Sequence, residues 1–212
     1  MGQEKAGYPV ELKGELIENE IPSRALWLVK WLLIIPHLIV LCFLFVAFGF
    51  LTIIAFFAIL FTGRYPKGMF DFNVGVLRWA WRVSFYGYNA LATDRYPPFT
   101  LKSIDYPADL QIRYSEKLQN GMVLVKWFLA IPHYAILGAL AGWGYNYATQ
   151  GQFPTGGLLW ILVLIAGIVL LFTGKYHRDV FKLIMGINRW IYRVIAYVGL
   201  MTDEYPHFRL WE

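Results

Sequence analysis

Two histidines stand inside the most apolar stretches of this sequence, and each follows a proline. They are His37 in LVKWLLIIPH (residues 28–37) and His133 in LVKWFLAIPH (residues 124–133). Histidine changes charge near neutral pH, and an ionisable group inside an apolar segment is a candidate proton or ligand carrier. Lys30 and Lys126 lie seven residues earlier, close to two helical turns, so each lysine shares a helix face with its histidine. Four arginines form a second group. Arg78 with Arg82, and Arg189 with Arg193, are spaced by four, which puts each pair on one face of a helix. Trp79, Trp81 and Trp190 stand beside them. Guanidinium groups match phosphate oxygens, and tryptophans anchor proteins at membrane interfaces.

Other residue types offer less. Cys42 is the single cysteine, so it forms no intrachain disulfide and reads as a small buried hydrophobe. His177 and His207 lie in charged regions without a metal-ligand spacing. The sequence has no GxSxG, no Walker loop and no paired carboxylates in an apolar segment. The expectation is a protein that is not an enzyme and has no metal site and no cofactor.

The elements that hold these residues follow from where the charges are absent. Hydrophobic residues make up 58% of the 212-residue chain and charged residues 16%. Soluble domains run at about 45–50% and about 25%. Residues 31–63 and 127–174 contain no Asp, Glu, Lys or Arg. Each gap reads as a helical hairpin, one over about 25–62 with its turn at Gly49, the other over about 122–173. The second has legs Met122–Ala141 and Leu158–Thr173 around the loop GWGYNYATQGQFPTGG. The first hairpin is short for two crossings of about 20 residues each, so a full crossing and a re-entrant wedge both stand. Basic residues flank both gaps and the turns carry none. The positive-inside rule therefore places both termini in the cytoplasm of a multi-pass inner (plasma) membrane protein. Residues 1–24 are rich in charge, which makes the first apolar segment an uncleaved signal. The net charge of +5 suits anionic phospholipid headgroups, and no nucleic-acid motif accompanies it.

The motifs recur in order. YPVEL (8–12) matches YPADL (106–110), and LFTGRYPKGMF (60–70) matches LFTGKYHRDVF (171–181). GVLRWAWRV (75–83) matches GINRWIYRV (186–194), and TDRYPPF (93–99) matches TDEYPHF (202–208). The fold expected is mainly α and integral to the membrane, in two tandem repeats, 1–105 and 106–212. Each repeat has a short strand, a transmembrane hairpin and an amphipathic interfacial helix, over about 69–91 and 180–201. The alternating stretches 10–17 and 108–114 make a small cytoplasmic β element, to which 97–101 and 206–211 add edge strands. Arginine at mid-bilayer costs at least about 2.5–3.5 kcal/mol, so the arginine helices lie in the interface, not across the membrane.

The unit LVKWLLxIPH…FTGRYP…RWxxRV…TDxYPPF resembles the domain-of-unknown-function 4389 family of bacterial membrane proteins, across nearly the whole chain and in two copies. The second copy departs from it at His177, where the first has Pro66. The resemblance implies a helical inner-membrane protein and carries over no catalytic residue.

Lys30, Arg78, Trp79, Arg82, Lys126, Arg189, Trp190 and Arg193 are the expected lipid-headgroup contacts. His37 and His133 have two readings. In one, each caps the carbonyl that Pro36 or Pro132 leaves unpaired, with the lysine at the lip of the membrane. In the other, they form a shared intramembrane polar site near a pseudo-twofold axis. Asp94 and Asp203 read as turn formers, or as partners of an arginine in the neighbouring copy. The leading function is a non-catalytic membrane module, a scaffold or accessory subunit that contacts phospholipids and a larger complex or a homo-oligomer. The alternatives are a small proton or lipid transporter or channel using the histidine pair, and a membrane-shaping hairpin protein.

Overall fold

A computed structural model describes residues 7–17, 22–141 and 157–210. In chain order it contains β1 (Val10–Gly14), α1 (Lys30–Thr62), α2 (Lys67–Tyr86), β2 (Ala108–Ile112), α3 (Met122–Leu129), α4 (Ile131–Ala141), α5 (Leu158–Thr173) and α6 (Arg178–Val198), with a 3-10 turn over Leu26–Leu28. Over the described residues the chain is mainly helical, with a small two-stranded sheet. Lys30–Thr62 and Met122–Leu140 are long and apolar enough to cross a membrane, and Leu158–Thr173 is apolar but shorter.

The first apolar segment corrects the expected hairpin. It is a single helix of 33 residues that runs straight through Gly49. The reason is phase. Its buried residues Lys30, Ile34, His37 and Leu41 are followed, in the same stripe, by Ala55 and Ile59, with the partly buried Phe48 and Leu60 packed on the core. A turn at Gly49 would break that stripe. A lone glycine costs a helix only about 1 kcal/mol, far less than a lost turn of packing. The helix ends where Gly63 adopts φ 68° and its N–H bonds to the carbonyl of Ile59. Gly174 ends α5 in the same way, at φ 67°. In the second half α4 and α5 are separate helices, and the expected loop between them, 142–156, lies outside the described residues. The buried Leu159, Val163, Ala166 and Leu170 of α5 repeat the spacing of the second half of α1.

The strands pair antiparallel in the register Val10↔Ile112, Leu12↔Leu110 and Gly14↔Ala108. Val10, Leu12, Leu110 and Ile112 are buried, while Glu11, Lys13, Gln111 and Arg113 are exposed. The expected edge strands at 97–101 and 206–211 are irregular over the described residues.

Helix α2 fills the space between sheet and α1. Trp79, Val83 and Tyr86 pack on Ile34 and Leu41 of α1. Phe70, Val74, Leu77, Trp81 and Phe85 belong to the cluster around Val10, Leu12 and Leu110. At 100° per residue these two sets lie on opposite sides of the helix. The order is therefore sheet, then α2, then α1. Helix α6 repeats it, touching β1 on one side and α4 and α5 on the other. Trp81 of α2 and Tyr192 of α6, which occupy matching positions, meet edge to face at 5.5 Å. Both helices are buried far more than the interfacial placement of 69–91 and 180–201 requires.

Candidate functional site

The recurring motifs converge on two matching clusters, one in each half. In the first, Lys30 is fully buried. Its Nζ donates to the Thr93 carbonyl at 2.6 Å and pairs with Asp94 at 3.0 Å. The ammonium also lies 4.6 Å from the centre of the Tyr86 ring. Asp94 accepts the backbone N–H of Ser23 as well. Burial pushes the Asp94 carboxyl up, but Ser23 and the Lys30 ammonium outweigh it and hold the group below the usual aspartate value.

His37 is fully buried seven residues further along α1. It stacks on Phe99 at 4.0 Å and tilts against Tyr96 at 4.8 Å. Its Nδ1 accepts the indole N–H of Trp79 at 3.2 Å, which leaves the ring proton of the neutral imidazole on Nε2. Tyr96 donates its hydroxyl to the carbonyl of Leu33, at 3.2 Å, in the turn that Pro36 disrupts.

The second cluster repeats each contact. Lys126 donates to the Thr202 carbonyl at 2.8 Å and pairs with Asp203 at 2.7 Å, and Asp203 accepts the N–H of Gln119. His133 accepts the Trp190 indole N–H at 3.0 Å, stacks on Phe208 at 4.1 Å and tilts against Tyr205 at 4.9 Å. Tyr205 donates to the Leu129 carbonyl at 3.1 Å.

These contacts correct four sequence expectations. The histidine rings do not turn to the proline break: their Nδ1 atoms accept an indole N–H, and the TDxYP tyrosine bonds to the carbonyl of Leu33 or Leu129, one residue past the one that the proline leaves without its donor. Asp94 and Asp203 pair with a lysine of their own half, because a lysine buried in an apolar helix needs an anion nearby. His37 and His133 do not share a site, since their two aromatic cages have no residue in common. The lysines do not sit at an exposed lip; both are fully enclosed.

The arginines are corrected too. Arg78 donates to the Leu110 and Leu101 carbonyls at 2.9 and 3.0 Å and pairs with Asp109 at 3.0 Å. Arg82, fully buried, donates to the Thr100 and Lys102 carbonyls at 3.3 and 2.6 Å and lies 3.5 Å from Asp109. Ser103 donates to the second Asp109 oxygen at 2.7 Å. In the other half, Arg189 donates to the Leu12 carbonyl and Arg193 to the Arg209 carbonyl, both at 3.4 Å. The Arg193 guanidinium lies 5.3 Å from the centre of the Tyr8 ring. Irregular backbone such as 100–102 leaves carbonyls without ladder partners, and guanidinium donors satisfy them. With Trp79 and Trp190 bonded to the histidines, each residue expected at the headgroups makes at least one contact inside the protein.

The two halves place one matching acid differently. Asp109 is nearly buried between two arginines, whereas its counterpart Glu11 has a side chain 59% exposed and pairs with Lys13. The sequence shows both acids, but only the folded strand shows which one the arginines enclose.

Close backbone contact keeps the C-terminal segment against α6. A Cβ built on Gly186 would lie 2.7 Å from the Leu210 carbonyl oxygen, and one on Gly75 would lie 2.8 Å from the Leu101 Cβ. Gly186→Ala is expected to lower stability by about 1–3 kcal/mol, the usual cost of overpacking. Gly121→Ala, where a Cβ meets nothing within 4 Å, is expected to stay within about 0.5 kcal/mol. Thermal unfolding in detergent checks both.

Set against known proteins, the chain matches the sequence model of one family, described as a domain of unknown function (DUF4389), at residues 24–100 and 155–209. No curated protein and no solved structure matches it.

Proposed function

Because the chain belongs to this DUF4389 family, whose description assigns no activity, we propose from the geometry a non-catalytic membrane module, a scaffold or accessory subunit of a larger assembly. One observation carries the reading. Lys30, Lys126, His37, His133 and the four arginines each have a partner within the fold, while α1 leaves its apolar surface bare. Only 11% of its most apolar stretch is buried. A core helix of a soluble protein is mostly covered, and signal-peptide apolar regions run to about 7–15 residues against the 33 of α1. A lipid environment accounts for the bare surface. Transport through a histidine pair is the weaker reading, because each histidine is enclosed in its own cage.

The test is native-membrane extraction in mild detergent, followed by affinity capture of the tagged chain. The expected result is a species well above the 24.6 kDa of the chain, containing at least one other protein in fixed ratio. A monodisperse single chain with nothing attached overturns the scaffold reading.

A further inference from the structure

We propose that the protein does not cross the bilayer but lies on it. In this arrangement α1 and α3–α5 run in the membrane plane within one leaflet, and the sheet faces water. The inference rests on the membrane reading above and deepens it.

The two faces of the fold differ in kind. The sheet side carries exposed Glu11, Lys13, Gln111 and Arg113. The opposite side is α1 with α3–α5. In α1 alone fifteen large hydrophobic side chains are exposed, among them Phe43 at 72%, Phe50 at 66% and Phe61 at 78%. They extend over the whole helix rather than one half of it, so the apolar surface is as long as α1 itself.

Both ends of that helix return to the same polar segment. At its start Lys30 binds Thr93 and Asp94. At its end Asn120 donates to the Leu60 carbonyl, and the Leu118 N–H bonds to the Gly63 carbonyl. Residues 93–120 carry Asp94, Arg95, Lys102, Asp105, Asp109, Arg113, Glu116 and Lys117. They contain no apolar run that could cross a bilayer. If α1 spanned, this segment and the strands beside α2 would stand at mid-membrane. Exposed Glu11 and Lys13 would then meet lipid, at about 2.5–3.5 kcal/mol for each such charge.

Length argues the same way. At 1.5 Å per residue the 33 residues of α1 reach about 50 Å, against a hydrocarbon core of about 30 Å. A straight helix would need a tilt of about 50°, outside the usual range of about 0–40°. Lying flat removes the mismatch. Charge then complements the lipid surface. Exposed Arg24, Arg64, Lys67, Lys117 and Lys175 stand around the ends of α1 and α5, where anionic headgroups would meet a flat-lying module.

The test uses the full chain in its native membrane, with Cys42→Ala as background and single cysteines introduced by Ala25→Cys, Arg64→Cys and Glu11→Cys. An impermeant maleimide is applied to vesicles of each orientation. All three cysteines are expected to label from the same side. Labelling of positions 25 and 64 from opposite sides overturns the proposal. In a second arm, spin labels replace Phe43, Phe50 and Phe57, and their depth is read with lipids carrying quenchers at set positions. A flat profile supports the proposal. A profile deepest near Gly49 and shallow at both ends, as a wedge or a span gives, overturns it. Release of the protein by alkaline carbonate defeats the membrane reading itself, a result distinct from either arm.

Discussion

Replacing Asp109 with alanine is expected to cost about 3–5 kcal/mol of folding stability, the range for removing one partner of a buried ion pair. The carboxylate lies 3.0 Å from Arg78 and 3.5 Å from Arg82, and the Arg82 side chain is fully enclosed. Without Asp109 two guanidinium charges face each other with only carbonyl oxygens as partners. Arg82 cannot turn outward, because its Nη2 is bound to the Lys102 carbonyl at 2.6 Å. The matching substitution in the other half, Glu11→Ala, is expected to change stability by no more than about 0.5 kcal/mol, since surface pairs contribute little. Thermal unfolding of both variants in one detergent measures the contrast. Equal losses at the two positions would mean that the halves carry their charge in the same way, against the geometry described.

The second large effect is expected at the histidines. His37→Ala removes a fully buried ring, opens a cavity beside Phe99 and strips the Trp79 indole N–H of its acceptor. Loss of the ring and an unpaired buried donor together cost about 3 kcal/mol or more. His133→Ala is expected to cost a similar amount, because Trp190, Tyr205 and Phe208 repeat the cage. The two losses are expected to add within about 0.5 kcal/mol, as they do at sites with no shared partner. A coupling well above that would restore a common site for the pair. His37→Phe separates the two contributions. It fills the cage but leaves the indole unpaired, so it is expected to recover most of the packing and keep a deficit of about 1–3 kcal/mol.

Much of this arrangement was legible in the residues. Strand positions 10–14 and 108–112 follow from alternation after Tyr-Pro, and the ends of α1 and α5 follow from Thr-Gly before a basic residue. The helices bearing Arg78 and Arg189 were visible, but their surroundings were not. An arginine beside a tryptophan reads as an interfacial residue when only its own segment is considered. The carbonyls of Thr100, Leu101 and Lys102 that engage Arg78 and Arg82 belong to irregular backbone, and backbone acceptors leave no mark in a sequence. The single course of α1 was hidden for a related reason. An uncharged segment this long divides naturally into two legs, and only the unbroken buried stripe shows that it does not. Tyr96 and Phe99 could have been found, because TDxYPxF recurs in step with the histidine motif. What the repetition does not supply is the meeting of the two motifs around a proline.

One contact pattern bears on how the chain comes together as it is made. Gly63 at the end of α1 is met by Leu118 and Asn120, and Gly174 at the end of α5 lies against Arg24. Each long helix is thus finished by the opening residues of the opposite half. The first cannot be secured until the ribosome has passed residue 120, and the second reaches back to the beginning of the chain. A nascent chain cut off near its midpoint would present α1 with one terminus loose and its greasy flank uncovered. Attachment to a bilayer during translation would shield that flank before the far half arrives.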